Sequence, residues 1–129
     1  MDIVGLDHVQ LAMPRGGEEK AREFYGRFLN LLEIPKPEGL IGRGGCWFAV
    51  PGVQLHLGVQ DDFIPASKAH PALLVRDLEA LYARLMAADV VVIRDEAVQG
   101  VHRFYALDPF GNRLEFIQDG NGFSQEAPL

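Results

Sequence analysis

The chain has 129 residues, enough for one domain with a sizeable core. Apolar residues make up 48% and charged residues 23%, the balance of a globular protein, so disorder is expected only at the ends. The net charge of −6 and a pI near 5.1 argue against nucleic acid or an anionic membrane as a partner. A single cysteine, Cys46, excludes an intramolecular disulfide framework and fits a reducing compartment. It sits in an apolar stretch and reads as a buried small residue rather than a nucleophile. The N-terminus lacks a charged segment followed by an apolar run, and no run is long enough to span a bilayer. A cytoplasmic protein is expected.

Residues 5–13 read as a strand, with Val9, Leu11 and Met13 on one face and His8, Gln10 and Ala12 on the other. Pro14 ends it. A helix is expected over about 18–31: Glu18 and Glu19 suit its N-terminus, and Ala21, Phe24, Tyr25, Phe28 and Leu32 recur at helical spacing. Asn30 is a candidate C-cap, and Pro35 and Pro37 exclude helix beyond Ile34. A short strand or glycine-rich loop is expected over 40–45. Strands follow at 46–50 and 53–59, joined by a Pro51-Gly52 turn, and 60–69 reads as a linker.

A second pass begins at His70. A strand is expected over 70–75, and a helix capped by Asp77 with Leu78, Leu81, Leu85 and Met86 on its apolar stripe. Strands are expected at 90–94, 101–107 and 112–118, the last preceded by the turn Asp108-Pro109-Phe110-Gly111. Residues 120–129 read as a loose tail. Each pass is thus β, α, β, β, β, giving modules at about 3–60 and 69–119 of one domain spanning 1–119. His8 and His70 open the two passes, and His56 and Glu115 sit in the closing strands, each four residues after a glycine.

Alternation sets these four side chains on the polar faces of their strands, so two sheets curving toward one another bring three imidazoles and a carboxylate to the floor of a cup. Such a mixed nitrogen and oxygen set suits a divalent first-row metal. A metal with open positions polarises a carbonyl or enediolate oxygen, and a carboxylate beside it shuttles a proton. Gln10, Trp47 and Tyr105 are candidates to shape the pocket, with packing the competing role for the two aromatics. Arg43 and Arg103 are candidates to hold an anionic substrate, with solvated surface cations the alternative. His102 has no counterpart in the first pass and is assigned to the surface or pocket rim.

Several stretches carry a resemblance: Leu6-Asp7-His8-Val9, Phe24-Tyr25 with Phe28-Leu29, the strand holding His56, His70, and Asp108-Pro109-Phe110-Gly111-Asn112-Arg113-Leu114-Glu115. Over about residues 3–118 the chain resembles the vicinal oxygen chelate superfamily of glyoxalases, fosfomycin- and bleomycin-resistance proteins and extradiol dioxygenases. The resemblance implies an α+β fold of two βαβββ modules forming an open eight-stranded cup, and often a homodimer. It implies a divalent metal (Ni, Zn, Mn or Fe(II)) on His8, His70 and Glu115, with His56 at the fourth position, where glyoxalase I usually carries Glu. The expected function is a metal-dependent lyase or isomerase acting on a small oxygen-chelating substrate, with Glu115 as ligand and proton carrier. An Fe(II) extradiol dioxygenase and a non-enzymatic binding protein for small molecules remain the alternatives.

Overall fold

A computed structural model describes residues 1–95 and 97–120; the expected tail at 120–129 lies outside them from residue 121 onward. The chain divides into two units. One comprises Met1–Ser67 together with Asp108–Asn112, and the other comprises Lys68–Leu107 and the chain from Arg113. The turn 108–112, which the sequence reading put in the second module, belongs to the first unit.

The first unit holds β1 (His8–Met13), α1 (Glu18–Ala21), a π-helical stretch (Arg22–Phe28), β2 (Leu32–Ile34), a 3-10 helix (Glu38–Arg43), β3 (Cys46–Val50) and β4 (Val53–Val59). Its sheet runs β1-β4-β3-β2, with β1 parallel to β4 and the other pairs antiparallel. The apolar face carries Met13, Phe48, Leu55 and Leu57, buried with Phe24 and Tyr25 of the helical segment. Each such side chain contributes roughly 1.5–3 kcal/mol on leaving water. The helical segment ends as expected: Asn30 takes a left-handed φ of 58°, and the Leu31 N–H donates to the Tyr25 carbonyl at 3.0 Å.

Two expectations in this unit are corrected. The strand or loop over 40–45 is largely a 3-10 helix, because Pro37 enters it with an extended backbone and nothing in 38–43 alternates. The missing strand is β2, where Leu32, assigned to the helical stripe, is instead 72% exposed on the sheet edge. Gly45 follows with φ +85° where a Cβ would collide with the Leu57 carbonyl oxygen, so only glycine lets β3 begin there.

The second unit holds β5 (Ala72–Val75), α2 (Leu78–Ala87), β6 (Val92–Arg94), β7 (Arg103–Leu107) and β8 (Arg113–Gln118). Its sheet runs β5-β8-β7-β6, again with the first pair parallel and the rest antiparallel. Asp77 caps α2, accepting from the Ala80 N–H at 3.1 Å, and Leu78, Leu81 and Leu85 bury its stripe with Phe104, Leu114 and Phe116. The repeat read from the sequence therefore extends to strand order: two four-stranded sheets of identical topology in an α+β fold. No helix among the described residues is long and apolar enough to cross a membrane.

Candidate functional site

Register places the candidate residues at matching points of the two sheets. His56 on β4 lies between Gln10 of β1 and Trp47 of β3. Glu115 on β8 lies between Ala72 of β5 and Tyr105 of β7. The two closing strands thus present His56 and Glu115 in equivalent rows.

In the first unit His8, His56, Gln10 and Trp47 share the polar face. The rings of Trp47 and His56 stack with centroids 3.8 Å apart and planes 1° from parallel. His8 lies against His56 at 4.2 Å and 15°. The His8 Nδ1–H donates to the Asp7 carboxylate at 2.8 Å, which in a neutral imidazole makes Nε2 the lone-pair nitrogen. The His56 Nε2–H donates to the Gln54 side-chain oxygen at 2.9 Å. Burial, and then the neighbouring His8, holds the His56 imidazole below the usual histidine range. The Gln10 amide occupies the space over Gly58, where an added Cβ would approach it to 2.7 Å.

In the second unit His70 meets Glu115. The His70 Nδ1–H donates to the Lys68 carbonyl at 2.9 Å, so Nε2 turns to Glu115 Oε1 at 3.0 Å. With Nδ1 committed to an acceptor, a lone-pair nitrogen and a carboxylate can share this contact only through a cation, a proton or a metal ion. The other oxygen, Oε2, accepts from Arg103 at 2.9 Å, and Arg103 also binds Asp95 at 3.1 Å. This hydrogen bond to Glu115 raises the Arg103 pKa. A carboxylate only 5% exposed is thereby held between a guanidinium and an imidazole.

Beside it opens a cavity of about 390 Å3 lined by Ile93, Arg94, Asp95, Tyr105, Leu107 and Arg113. Arg94 is tied to Glu79 at 2.8 Å and Asp95 to Arg103. Arg113 lies over the Tyr105 ring, 4.0 Å from its centroid, and has no ion pair among the described residues. Arg113 is a candidate the sequence analysis passed over, although its alternation with Glu115 put both on one face. Arg43, the other arginine considered there, is exposed at the end of the 3-10 helix, and His102 is exposed ahead of β7.

The structure therefore brings the four predicted ligands together as two pairs, His8 with His56 and His70 with Glu115. Among the described residues no three His, Cys, Asp or Glu side chains stand as a group able to hold a metal ion.

The model of the Glyoxalase/Bleomycin resistance protein/Dioxygenase superfamily matches residues 5–116. The chain belongs to this superfamily. Among solved structures, that of a putative glyoxalase family protein from Bacillus anthracis is 49% identical, covers 90% of this chain and 95% of its own, and superposes with a TM-score of 0.87. The genomically encoded fosfomycin resistance protein of Listeria monocytogenes is 20% identical, with coverage of 90% and 93% and a TM-score of 0.73. An antibiotic binding protein from a Streptomyces species is 23% identical, with coverage of 92% and 98% and a TM-score of 0.70. The last two establish a shared fold alone. No curated protein matches the chain.

Proposed function

We propose that this superfamily member is a cytoplasmic, divalent-metal-dependent enzyme of the glyoxalase type, acting as a lyase or isomerase on a small substrate that chelates the metal through two oxygens. The observation that carries this reading is the preparation of the two opening histidines. Each has Nδ1 fastened to an oxygen acceptor, Asp7 for His8 and Lys68 O for His70, which directs Nε2 outward as a metal ligand requires. The proposed ligands are His8, His70 and Glu115, with His56 at the fourth place expected from the sequence. The donor set fits Ni, Zn, Mn or Fe(II).

A divalent ion held by these residues would supply a Lewis acid for the substrate oxygens. Arg103 anchors Glu115 through Oε2, and the Glu115 carboxylate would carry a proton from substrate carbon and return it. Arg113 on its tyrosine shelf holds an anionic group of the substrate, while Ile93 and Leu107 line an apolar part. Arg103, proposed from the sequence as the anion holder, has its charge committed to two carboxylates and supports Glu115 instead. Gln10 and Trp47, which flank His56 on the polar face of the first unit, would shape the pocket. The protein is proposed to act as a homodimer: β1 and β5 are outermost in their sheets, and Ile3, Val4, Leu6 and Leu74 stand at least 60% exposed along or just before them.

Metal uptake tests the reading. Trp47 is the only tryptophan, and its ring lies against His56, so Ni(II) titration is expected to quench its fluorescence at one ion per site. Metal content is expected to be near-stoichiometric and to fall in His8→Ala. Absence of uptake of Ni, Zn, Mn and Fe(II) would leave the chain as a small-molecule binding protein.

The stack of His56 on Trp47 favours a second reading. With His56 so engaged, His8, His70 and Glu115 form a two-histidine, one-carboxylate set, which suits an Fe(II) extradiol dioxygenase. Oxygen consumption with catechols and ferrous iron decides between the two.

A further inference from the structure

Two imidazoles bind one ion only when both ring planes pass through it, because each donor lone pair lies in its ring plane. The planes of His8 and His56 are stacked at 4.2 Å and tilted by only 15°. Planes so nearly parallel meet far beyond a metal–nitrogen bond of about 2.1 Å. His56 is further fixed from the other side by Trp47, at 3.8 Å and 1°, and along its edge by Gln54. Swinging it out to reach an ion on His8 Nε2 breaks a hydrogen bond and two ring contacts, and moves a side chain of a residue that is 3% exposed.

We infer that His56 is a positioning residue and not a metal ligand: with Trp47 it forms an aromatic shelf that fixes the ring plane of His8. The inference rests on the metal reading above and departs from it at the fourth ligand. His8 needs such a shelf. Its side chain is 43% exposed, and its Nδ1 is tied to Asp7, whose side chain is itself 92% exposed. Without a ring beneath it the imidazole rotates about two bonds, and Nε2 loses its direction. The shelf supplies aim without a donor, so an ion held as proposed above would keep open the position that a fourth ligand would fill. The register explains why the shelf is built here: β1 and β3 flank β4, so the row through His56 sets Trp47 on one side and leaves His8 as the diagonal neighbour on the other.

Two substitutions at His56 separate a shelf from a ligand. Phe keeps the ring and removes the donors; Gln keeps a donor and removes the ring. Calorimetric titration with Ni(II) is expected to give His56→Phe an affinity within about threefold of the parent, and His56→Gln a loss of about tenfold or more, the range for residues that orient a ligand. Trp47→Leu, which removes the ring behind His56 and no ligating atom, is expected to weaken Ni(II) binding as well. In the metal-free protein, the ring protons of His8 are expected to lie upfield from stacking, to stay there in His56→Phe and to move downfield in His56→Gln. The opposite pattern, with Gln retaining the ion and Phe losing it, overturns the inference, as does a Trp47→Leu variant of unchanged affinity. If the parent protein takes up no ion, the metal reading itself fails, and that is seen before any variant is made.

Discussion

Arg103 and Arg113 both serve the face of β8 that carries Glu115, and they differ in what already occupies their charge. Arg103 binds Glu115 and Asp95 and its side chain is 11% exposed. Replacing it with alanine leaves the Glu115 carboxylate buried without its counter-ion, and urea denaturation is expected to show a loss of about 3 kcal/mol. Arg113 lies over the Tyr105 ring and has no ion pair among the described residues. Arg113→Ala is expected to cost less than about 1 kcal/mol of stability. Its effect should fall instead on KM for an anionic substrate, with kcat retained. Equal loss of stability in the two variants would show that the arginines are interchangeable supports. Glu115→Gln keeps the shape of the side chain but removes the base, so turnover is expected to fall at least about a hundredfold while the fold persists. Alternation in the sequence picks out His8 and Glu115 on the polar faces of β1 and β8, and His70 just ahead of β5. It did not separate the arginines, because their roles depend on the pairing of β7 with β8, which no local pattern encodes.

At the scale of elements, the turn Asp108–Asn112 gathers a polar network within the first unit. Asp108 accepts from the Tyr25 hydroxyl at 2.7 Å and from the Asn112 side chain at 2.9 Å through one oxygen, and from the Phe110 and Asn112 N–H groups through the other. Asn112 also donates to the Ala12 carbonyl of β1 at 2.7 Å. Gly111 permits the turn with φ 91°. The motif was visible in the sequence, but only as a turn leading to Glu115. Its first five residues instead brace the helical segment to β1, which sequence spacing could not reveal across so many intervening residues. Asp108→Ala orphans four donors and is expected to cost about 3–4 kcal/mol, against about 1–1.5 kcal/mol for Tyr25→Phe. Alkaline stability follows from the same unit. Burial raises Cys46 from 9.0 to about 11, and burial with Asp108 raises Tyr25 well above 10.0. Both groups are acids whose folded pKa exceeds the unfolded one, so their contribution is intact below pH 9 and is lost as pH rises, for Cys46 between 9 and about 11. Cys46→Ala is expected to flatten the decline of stability over that window. A decline unchanged in Cys46→Ala would assign it to other groups. The Cys46 thiol is likewise expected to resist alkylation at pH 8 in the folded protein.

At the scale of the whole molecule, duplication was the feature most legible in the sequence, since His8 matches His70 and His56 matches Glu115. Strand order was not, because β2 is three residues long and carries an exposed leucine where a helical stripe also fitted. The duplication divides the proposed ligands between two units, His8 in the first and His70 with Glu115 in the second. A homodimer can complete a site with one unit from each chain, and complementation tests that arrangement. His8→Ala disables the first unit and Glu115→Gln the second, so each homodimer is expected to be inactive. If each site draws a unit from both chains, a mixed dimer contains one site with both lesions and one with none. Unfolding and refolding the two variants together is then expected to restore about a quarter of parental activity, half the dimers being mixed and each having one intact site. Separate refolding followed by mixing should restore activity only as fast as subunits exchange. If all ligands of a site come from one chain, every site in the mixture carries a lesion and no activity returns. Sedimentation of the mixture keeps the outcomes apart: an inactive mixture of dimers places the whole site within one chain, and an active one places it across two.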